Sequence, residues 1–561
     1  MVWLILPGFL LSIIFVLMQH LMIHFTKAVF FLLYRFLCFS LLLFLFCSCS
    51  TGKAGEKTRY DFVQDFGGVP DGITNNYAAF IKAAQTLSHK KNVQLQFPKG
   101  IYYIRDYKIS GGKYKNGISD IIFTGMDHVL INGNGSTILI NGNFKRSADY
   151  GLPGVPYLYA YNNTVSPFTF TNCKNLVLKN FILDGGVLQM SRDSNVVEGF
   201  NYGIAITDYL PAHQSKNIII DSMLVTHFAT DGFIVRSSGN NILVTNSSFK
   251  NNARQGVSII KGKDITIRHC NFDSTGFTGN YTGHSPQAGI DVENEYSLAE
   301  LTNVQVTHCN FRHNVGFQFV SSSRSGKVML DSCFISDKSN GYEYGYNGLG
   351  IYSKNSGIKN SIIFGTLQVE TGGEKYLGDT PLLIKNNIIY SGFSGAISTD
   401  YNNPVAMVGN VFIMLPNPHP NPYFPFIRNQ NAVFQNNVII LHPDKMQTHA
   451  LAFTSLIQNV KSAQGNFWLL YGKSLPGTPY KLPNDVYYKI STDNSRDIQK
   501  QYIPESWLHK SISQAVGLPA ATVERLLRYD FITNYKTRAF DAGLLQQADS
   551  LRATMKAIAG E

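Results

Sequence analysis

A short phrase recurs along most of the chain, and no other feature of the sequence limits the fold so strongly. It runs aliphatic, spacer, aliphatic anchor, spacer, small polar residue, as in Ile265-Thr266-Ile267-Arg268-His269-Cys270. The anchors are Leu178, Ile220, Val244, Ile267, Val306, Leu330, Ile358, Ile384, Val408 and Phe434, and seven of the nine intervals between them fall between 23 and 28 residues. The other two, 42 and 39, carry insertions. Such a period marks a solenoid, in which a unit too small to fold alone buries its apolar face against its neighbours. Two positions past each anchor stands Asn180, Ser222, Asn246, His269, His308, Ser332, Asn360, Asn386, Asn410 or Asn436. Asn tolerates the left-handed backbone of a tight turn, and its amide can bond the same turn one coil away. This column is expected to form a ladder along the solenoid.

Each coil also holds a second strand that opens with glycine, at Gly232, Gly256, Gly289, Gly316 and Gly348. Alternation at period two sends one face of these strands to a core and the other outward. Strands of about four to six residues with no helical pattern between them predict an all-β chain, a parallel β-helix of about 10–12 coils. A propeller needs a longer period. Composition agrees: 13% aromatic and 15% charged residues with 48 Gly suit strands and turns, not a coiled coil.

Ahead of the repeats stands Tyr60-Asp61-Phe62-Val63-Gln64-Asp65-Phe66-Gly67-Gly68-Val69-Pro70-Asp71-Gly72-Ile73-Thr74-Asn75-Asn76. An amphipathic pattern follows (Ala78, Ala79, Phe80, Ala83, Ala84, Leu87), then Val93-Gln94-Leu95-Gln96-Phe97-Pro98-Lys99-Gly100-Ile101-Tyr102. This reads as a strand, a Gly-rich turn, a helix and a strand, a cover for a first coil whose core would otherwise meet water. The stretch resembles the opening of pectate-lyase-superfamily proteins of the polygalacturonase and rhamnogalacturonase-epimerase-like type. That resemblance, spanning roughly residues 60–470, implies a right-handed β-helix and cleavage or modification of polysaccharides. The polygalacturonase set of Asn-Thr-Asp, Asp-Asp, Gly-His-Gly and Arg-Ile-Lys is not found in order, nor is a calcium-rich Asp cluster, so no catalytic role carries over.

Residues 2–47 are almost wholly apolar and end at Phe46-Cys47-Ser48-Cys49-Ser50, after which the chain turns polar. The segment resembles a bacterial lipoprotein signal with Cys49 as the lipidated residue, and Met22 is a plausible true start. Two membrane helices, Val2 to Leu21 and Ala28 to Cys47, are the rival reading, against which Lys27 and Arg35 weigh. The expected layout is a signal over 1–48, a linker over 49–59, a cap and first coil over 60–126, the β-helix over 127–470 and a partly helical C-terminal tail over 471–561. The expected location is the outer membrane, on its periplasmic or cell-surface face, held by the lipid anchor. The net charge of +11, about +9 once Lys27 and Arg35 are removed, is scattered and contains no run of five or more Lys or Arg. An acidic polysaccharide fits this balance; nucleic acid is not expected as a partner.

A groove on a β-helix runs across successive strands on one outward face. Alignment on the strand glycines gives an outward column of Ala205, Ile234, Ser258, Asp291, Gln318 and Gly350, and a next column of Thr207, Arg236, Ile260, Glu293, Val320 and Tyr352. Asp231, Arg254, Gln255, Gln287 and Asn314 precede the glycines. The richest stretch, His284 to Glu295, follows an insertion containing Tyr281. Coils stack about 4.8 Å apart, so Asp231 and Asp291 are expected with backbones about 9–10 Å apart, and Asp291 and Glu293 about 6.6 Å apart. These separations suit a glycosidase with paired carboxylates, Asp291 as acid or base and Asp231 or Glu293 as partner. Arg236 and Arg254 are the expected ligands for substrate anions, with His284, Gln287, Gln318 and Tyr281 completing the substrate-binding set. A lyase or epimerase acting on a uronate polymer is the second reading; a lyase would need a base at C5 and a cation to neutralise the carboxylate, roles for which Arg254, Lys261 or His284 could serve, with calcium as its one conceivable cofactor. A non-catalytic glycan-binding or structural β-helix is the third reading.

His269-Cys270 and His308-Cys309 resemble zinc ligands in type. The period instead places the histidines in the turn column and Cys270, Cys309 and Cys333 in the next column with Ser247 and Ser361, so no metal is assigned. Tyr157, Tyr159 and Tyr161, and Tyr342, Tyr344 and Tyr346, alternate near the groove and are candidates for stacking on sugars.

Overall fold

The structure, a computed structural model, describes residues 57–105, 109–110, 118–119, 121–140, 166–189, 201–208, 212–276, 285–294, 301–336 and 348–365, shorter stretches between 367 and 471, and 486–490. Cys49, the two apolar N-terminal segments, both tyrosine triplets and most of the C-terminal tail lie outside these residues. Among the described residues no helix is long and apolar enough to cross a membrane.

The chain winds through three parallel sheets. Sheet 1 holds the anchor strands, among them Lys216–Asp221, Leu301–Thr307 and Gly326–Asp331. Sheet 2 holds the short strands after the turn, such as Ser248–Lys250, Asn271–Asp273 and Asn310–Arg312. Sheet 3 holds the glycine-led strands, such as Ile204–Thr207, Ile290–Val292 and Leu349–Ile351. Two long strands, Asp231–Thr245 and Gln255–Arg268, run without a break from sheet 3 into sheet 1. The strands of these three sheets pair in parallel with their equivalents one coil away, for example Ile220 with Val244, Val244 with Ile267, and Ile267 with Val306, whereas the short strands Ile109–Ser110 and Ile118–Ser119 form a separate antiparallel pair. These anchors are 0% exposed. In sheet 2 the core column contains Phe249, Phe272 and Phe311, whose rings stack at 5.5 and 4.9 Å.

The first rungs belong to the cap. Arg59–Asp61 and Lys91–Gln96 lie in register with each other and with the strand Asp127–Ile140. Asp61 caps the short helix α1 (Phe62–Phe66) by accepting from the backbone N–H groups of Val63 and Gln64, and its own N–H donates to Asp65 Oδ2 at 2.7 Å. Helix α2 (Tyr77–Leu87) turns Ala79, Phe80, Ala83, Ala84 and Leu87 onto the core end and leaves Ala78 exposed. Phe62, Phe80, Phe97 and Tyr102 close over the first coil with ring centroids 4.1 to 5.9 Å apart. Buried Asn76 ties the Gly-rich turn: its amide donates to the carbonyls of Val69 and Thr74, and its Oδ1 accepts from Val69 N–H.

The turn between sheets 1 and 2 repeats closely. Asn180, Ser222, Asn246, His269, His308, Ser332, Asn360, Asn386 and Asn436 all have φ between 50° and 59°, the left-handed conformation that the sequence predicts. In the coil of Met407 the turn residue is Gly409, φ 69°, and Asn410 moves one place inward. The amide ladder lies in that inward column, not in the turn column. Asn387, Asn410, Asn437 and Asn466 are 0–1% exposed, and each side-chain oxygen from Asn410 onward accepts both the backbone N–H and the side-chain amide of the preceding rung. The turn-column amides reach other groups, as Asn246 reaches Asp221 and Asn360 reaches Asp331. They face solvent, where water competes for the bond; the inward column is dry, so its groups satisfy one another. Toward the N-terminus the column continues as Ser361, Cys333, Cys309 and Cys270, each thiol donating to the carbonyl two residues before it. Burial pushes the Cys309 thiol well above its ordinary range.

Candidate functional site

Sheet 3 differs from the other two in what flanks it. The turn from sheet 1 to sheet 2 stays short, whereas 27 residues separate Ile140 from Phe168, 19 separate Asp184 from Ile204, and 16 separate Asp273 from Ile290. The outward face of sheet 3 is thus the floor between variable insertions. Its strands begin in close contact: a Cβ on Gly203, Gly232, Gly256 or Gly289 would lie 2.5 to 2.7 Å from the carbonyl oxygen of the equivalent residue in the next coil. Glycine at this column lets successive coils approach one another as the chain enters the sheet.

One outward column reads Thr169, Ala205, Ile234, Ser258, Asp291, Val320, Gly350 and Gln368. Asp291 is 5% exposed between Ser258 and Val320, and its Oδ2 accepts from Gln255 Nε2 at 3.0 Å. Gln255 is itself fixed, because its Oε1 accepts from Ala288 N–H at 2.9 Å. Glu293, two residues farther along on the same face, is exposed. Glu293 follows the last residue of the strand Ile290–Val292, and its N–H donates to Ile259 O at 2.9 Å, so extended spacing puts its Cα about 6.6 Å from that of Asp291.

Asp231 does not join them. It is fully buried and forms a two-pronged ion pair with Arg254, Nε to Oδ1 at 2.8 Å and Nη2 to Oδ2 at 2.6 Å. The register aligns Asp231 with Gln255, not with Asp291. Two rungs and three residues therefore separate the acids, about 14 Å between Cα atoms. This replaces the shorter spacing expected from the sequence, and it commits Arg254 to Asp231.

Gln318 is also displaced. Phe319, not Phe317, aligns with Ile290 and Leu349, so Gln318 occupies the glycine column and Val320 the outward column. Gln318 is 0% exposed; its Oε1 accepts from Asn314 Nδ2 at 2.8 Å and its Nε2 donates to Asn314 O at 3.1 Å. It closes a corner and faces no groove. Gln287 is half-buried at that corner with φ 51°. Arg236 is half-buried on the outward face beside Lys261. Tyr281 and His284 lie outside the described residues.

The period places Gln255 one coil after Asp231 but does not mark it as a site residue. Nor does it single out the groups on the C-terminal side of Asp291. There Phe317 and Tyr352 meet edge to face at 6.5 Å, and Tyr352 OH donates to Gln368 Oε1 at 2.7 Å. Among the described residues no three His, Cys, Asp or Glu side chains gather as a metal site.

The fold defines the class. Residues 181–341 match the family model described as a right handed beta helix region, so the coil is a right-handed parallel β-helix. No protein of curated function matches the sequence. Among solved structures, the A-module of the mannuronan C-5 epimerase AlgE4 of Azotobacter vinelandii is 10% identical, with 79% of this chain and 98% of that one covered at a TM-score of 0.38. A tailspike protein mutant of E. coli bacteriophage HK620, in complex with pentasaccharide, is 12% identical over 77% of this chain and 78% of its own at 0.45. PfbA, a surface adhesin of Streptococcus pneumoniae, is 13% identical over 79% and 97% at 0.39. Likenesses this distant say nothing about chemistry.

Proposed function

We propose that the protein binds a polysaccharide along the outward face of sheet 3 and hydrolyses it with Asp291 and Glu293. The observation that carries this reading is a deeply set carboxylate, Asp291, held by Gln255 on the one face flanked by long insertions, with an exposed carboxylate two residues away. In the proposed step Asp291 gives its proton to the glycosidic oxygen as the bond to the anomeric carbon breaks. Glu293, on the solvent side, takes a proton from the water that adds to that carbon. Phe317 and Tyr352 supply apolar surface for neighbouring sugar rings. Export through the N-terminal segment and lipidation at Cys49 would hold the enzyme at the outer membrane.

Binding without catalysis is the second reading, favoured by the ion pair that occupies Asp231. The same pair weighs against Arg254 as the base of a lyase. The test is incubation with neutral and acidic polysaccharides, following new reducing ends and the ultraviolet absorbance of unsaturated products together. Hydrolysis gives reducing ends alone, and Asp291→Asn should lower that rate about 10²- to 10⁴-fold while glycan binding persists. Reducing ends made equally fast by Asp291→Asn would remove Asp291 from the mechanism, and a joint rise in absorbance would replace hydrolysis by elimination.

A further inference from the structure

Among the described residues the exposed large hydrophobic side chains gather at one end of the solenoid. Val69, Ile73, Ile101 and Leu188 are 37%, 73%, 45% and 58% exposed, and all four belong to the cap and the first coils. Ile101 N–H donates to Pro70 O at 3.2 Å, and a Cβ on Gly72 would stand 3.4 Å from Ile101 Cγ2, so Val69, Ile73 and Ile101 are neighbours. Register extends this patch along the outward face of sheet 2. Ile101 aligns with Thr137, Thr137 with Ile182 and Ile182 with Leu224, while Tyr103 aligns with Leu139 beside them. Tyr103, Leu139, Ile182 and Leu224 are half-buried. Five rungs, from the strand Asp71–Asn75 to the strand Leu224–Thr226, span about 19 Å. The stripe then stops: the next outward residues are Ser248 and Lys250, followed by Asn271 and Asp273.

Three features bear on what would cover such a face. The edge strand Asp71–Asn75 is blunted against another strand, because the N–H groups of Ile73 and Thr74 both donate to Asp71 Oδ1, at 2.8 and 2.7 Å. The other acid of the stripe is also engaged locally, Asp184 accepting from Gly186 N–H and pairing with His227 Nδ1 at 3.2 Å. Second, exposed Lys99 and Arg105 bracket Ile101 and Tyr103, and the Arg105 guanidinium lies 6.0 Å from the centroid of the Tyr103 ring. Aliphatic side chains and a tyrosine flanked by cations suit a membrane interface, where apolar groups enter the boundary between headgroups and acyl chains and long basic side chains reach the phosphates. Third, Cys49 precedes Arg59 by ten residues, which span at most about 35 Å, so a lipid on Cys49 would hold the first rung that close to a bilayer.

We infer that the outward face of sheet 2, from Ile73 to Leu224, rests on a lipid bilayer, so that the N-terminal coils lie along the membrane surface. The inference rests on the reading of Cys49 as lipidated. Full-length protein is reconstituted into vesicles of phosphatidylethanolamine and phosphatidylglycerol that contain phosphatidylcholine brominated in its acyl chains, a quencher of tryptophan confined to the bilayer. Ile73→Trp sets a reporter on the face at a site open enough to need no repacking, and Lys216→Trp sets a control at an exposed position of sheet 1 in the coil of Leu224. The unsubstituted protein, with its three tryptophans, supplies the background. A docked apolar face sits about 5–10 Å into the headgroup boundary, so Ile73→Trp should be quenched at least about threefold more strongly than Lys216→Trp. Equal quenching, or none in Ile73→Trp, overturns the docking, and a blue-shifted emission that brominated lipid does not quench would give the face to a second copy of the chain. The mass of the N-terminal peptide separates the docking from the anchor. Absence of quenching with lipid present on Cys49 sinks the docking alone, quenching with Cys49 unmodified sinks the lipidation alone, and an unmodified protein that does not float with the vesicles sinks both.

Discussion

Replacing Asn410 by alanine removes four hydrogen bonds from the dry interior. Its Oδ1 accepts from Asn387 N–H and Nδ2, both at 3.0 Å, and its Nδ2 donates to Ile384 O at 2.9 Å and Asn437 Oδ1 at 3.0 Å. The losses are unequal. Asn387 Nδ2 keeps Ile358 O, and Asn437 Oδ1 keeps Asn410 N–H. Asn387 N–H loses its acceptor outright. An orphaned buried group costs about 1–3 kcal/mol, and the vacated amide volume adds to that, so a local loss of about 3 kcal/mol is expected. Because a solenoid need not unfold in one step, the assay is native-state hydrogen exchange of the coils spanning residues 382–414. At 1.4 kcal/mol per decade, exchange there should quicken about a hundredfold. Asn410→Ser provides the control. Ser361 Oγ accepts from Cys333 N–H at 3.0 Å in the same column, so a serine should retain an acceptor for Asn387 and cost about 1 kcal/mol. A change below about threefold in the alanine variant, the size of a neutral surface substitution, would refute the argument. Equal effects of serine and alanine would refute the role given to the orphaned N–H.

Arg254→Met strips the guanidinium from buried Asp231 and should destabilise the protein by about 3–5 kcal/mol, with much of the loss recovered when Asp231→Asn is added; denaturation of the two singles and the double checks this. The Asp273 carboxyl is raised by burial, but hydrogen bonds from His313 and Ser274 and the charges of His313 and Arg312 outweigh that and hold it below its ordinary 3.8. The folded state therefore binds the proton less readily, so this group stabilises fully above 3.8 and loses its effect as pH falls through the lower folded value. Melting curves of the native protein and Asp273→Asn should differ at about pH 6 and draw together near about pH 2, and a constant gap would contradict the assignment.

Much of this fold is legible because the period is physical: every rung must offer the next the same apolar residues and the same turn. The left-handed column from Asn180 to Asn436 follows directly. What escapes is register wherever alternation is ambiguous. Phe317, Gln318, Phe319 and Val320 can be framed in two ways, and Gly316 imitates the strand glycine. The corner hydrogen bonds between Asn314 and Gln318 decide the frame, and no periodicity reveals them. Asn410 escapes the turn column for a related reason, since Gly409 occupies the turn. The candidate site suffered more than the fold, because a slip of two residues moves a side chain from the groove to a corner. Asp231 shows the converse limit: its position was readable, but its engagement with Arg254 depends on how the chain bends into sheet 3.

The inward asparagine column has a consequence for how such a chain can change in length. Asn410 meets Asn437 through the same bonds by which Asn387 meets Asn410. Excision of the 27 residues from one asparagine to the next would therefore present Asn387 with an identical neighbour and leave no broken partner at the seam. Removal of part of a coil there would not bring Asn437 or Asn466 to that position. Along this stretch the protein is divisible only in whole coils, and gain or loss of segments is quantised by the amides that join them.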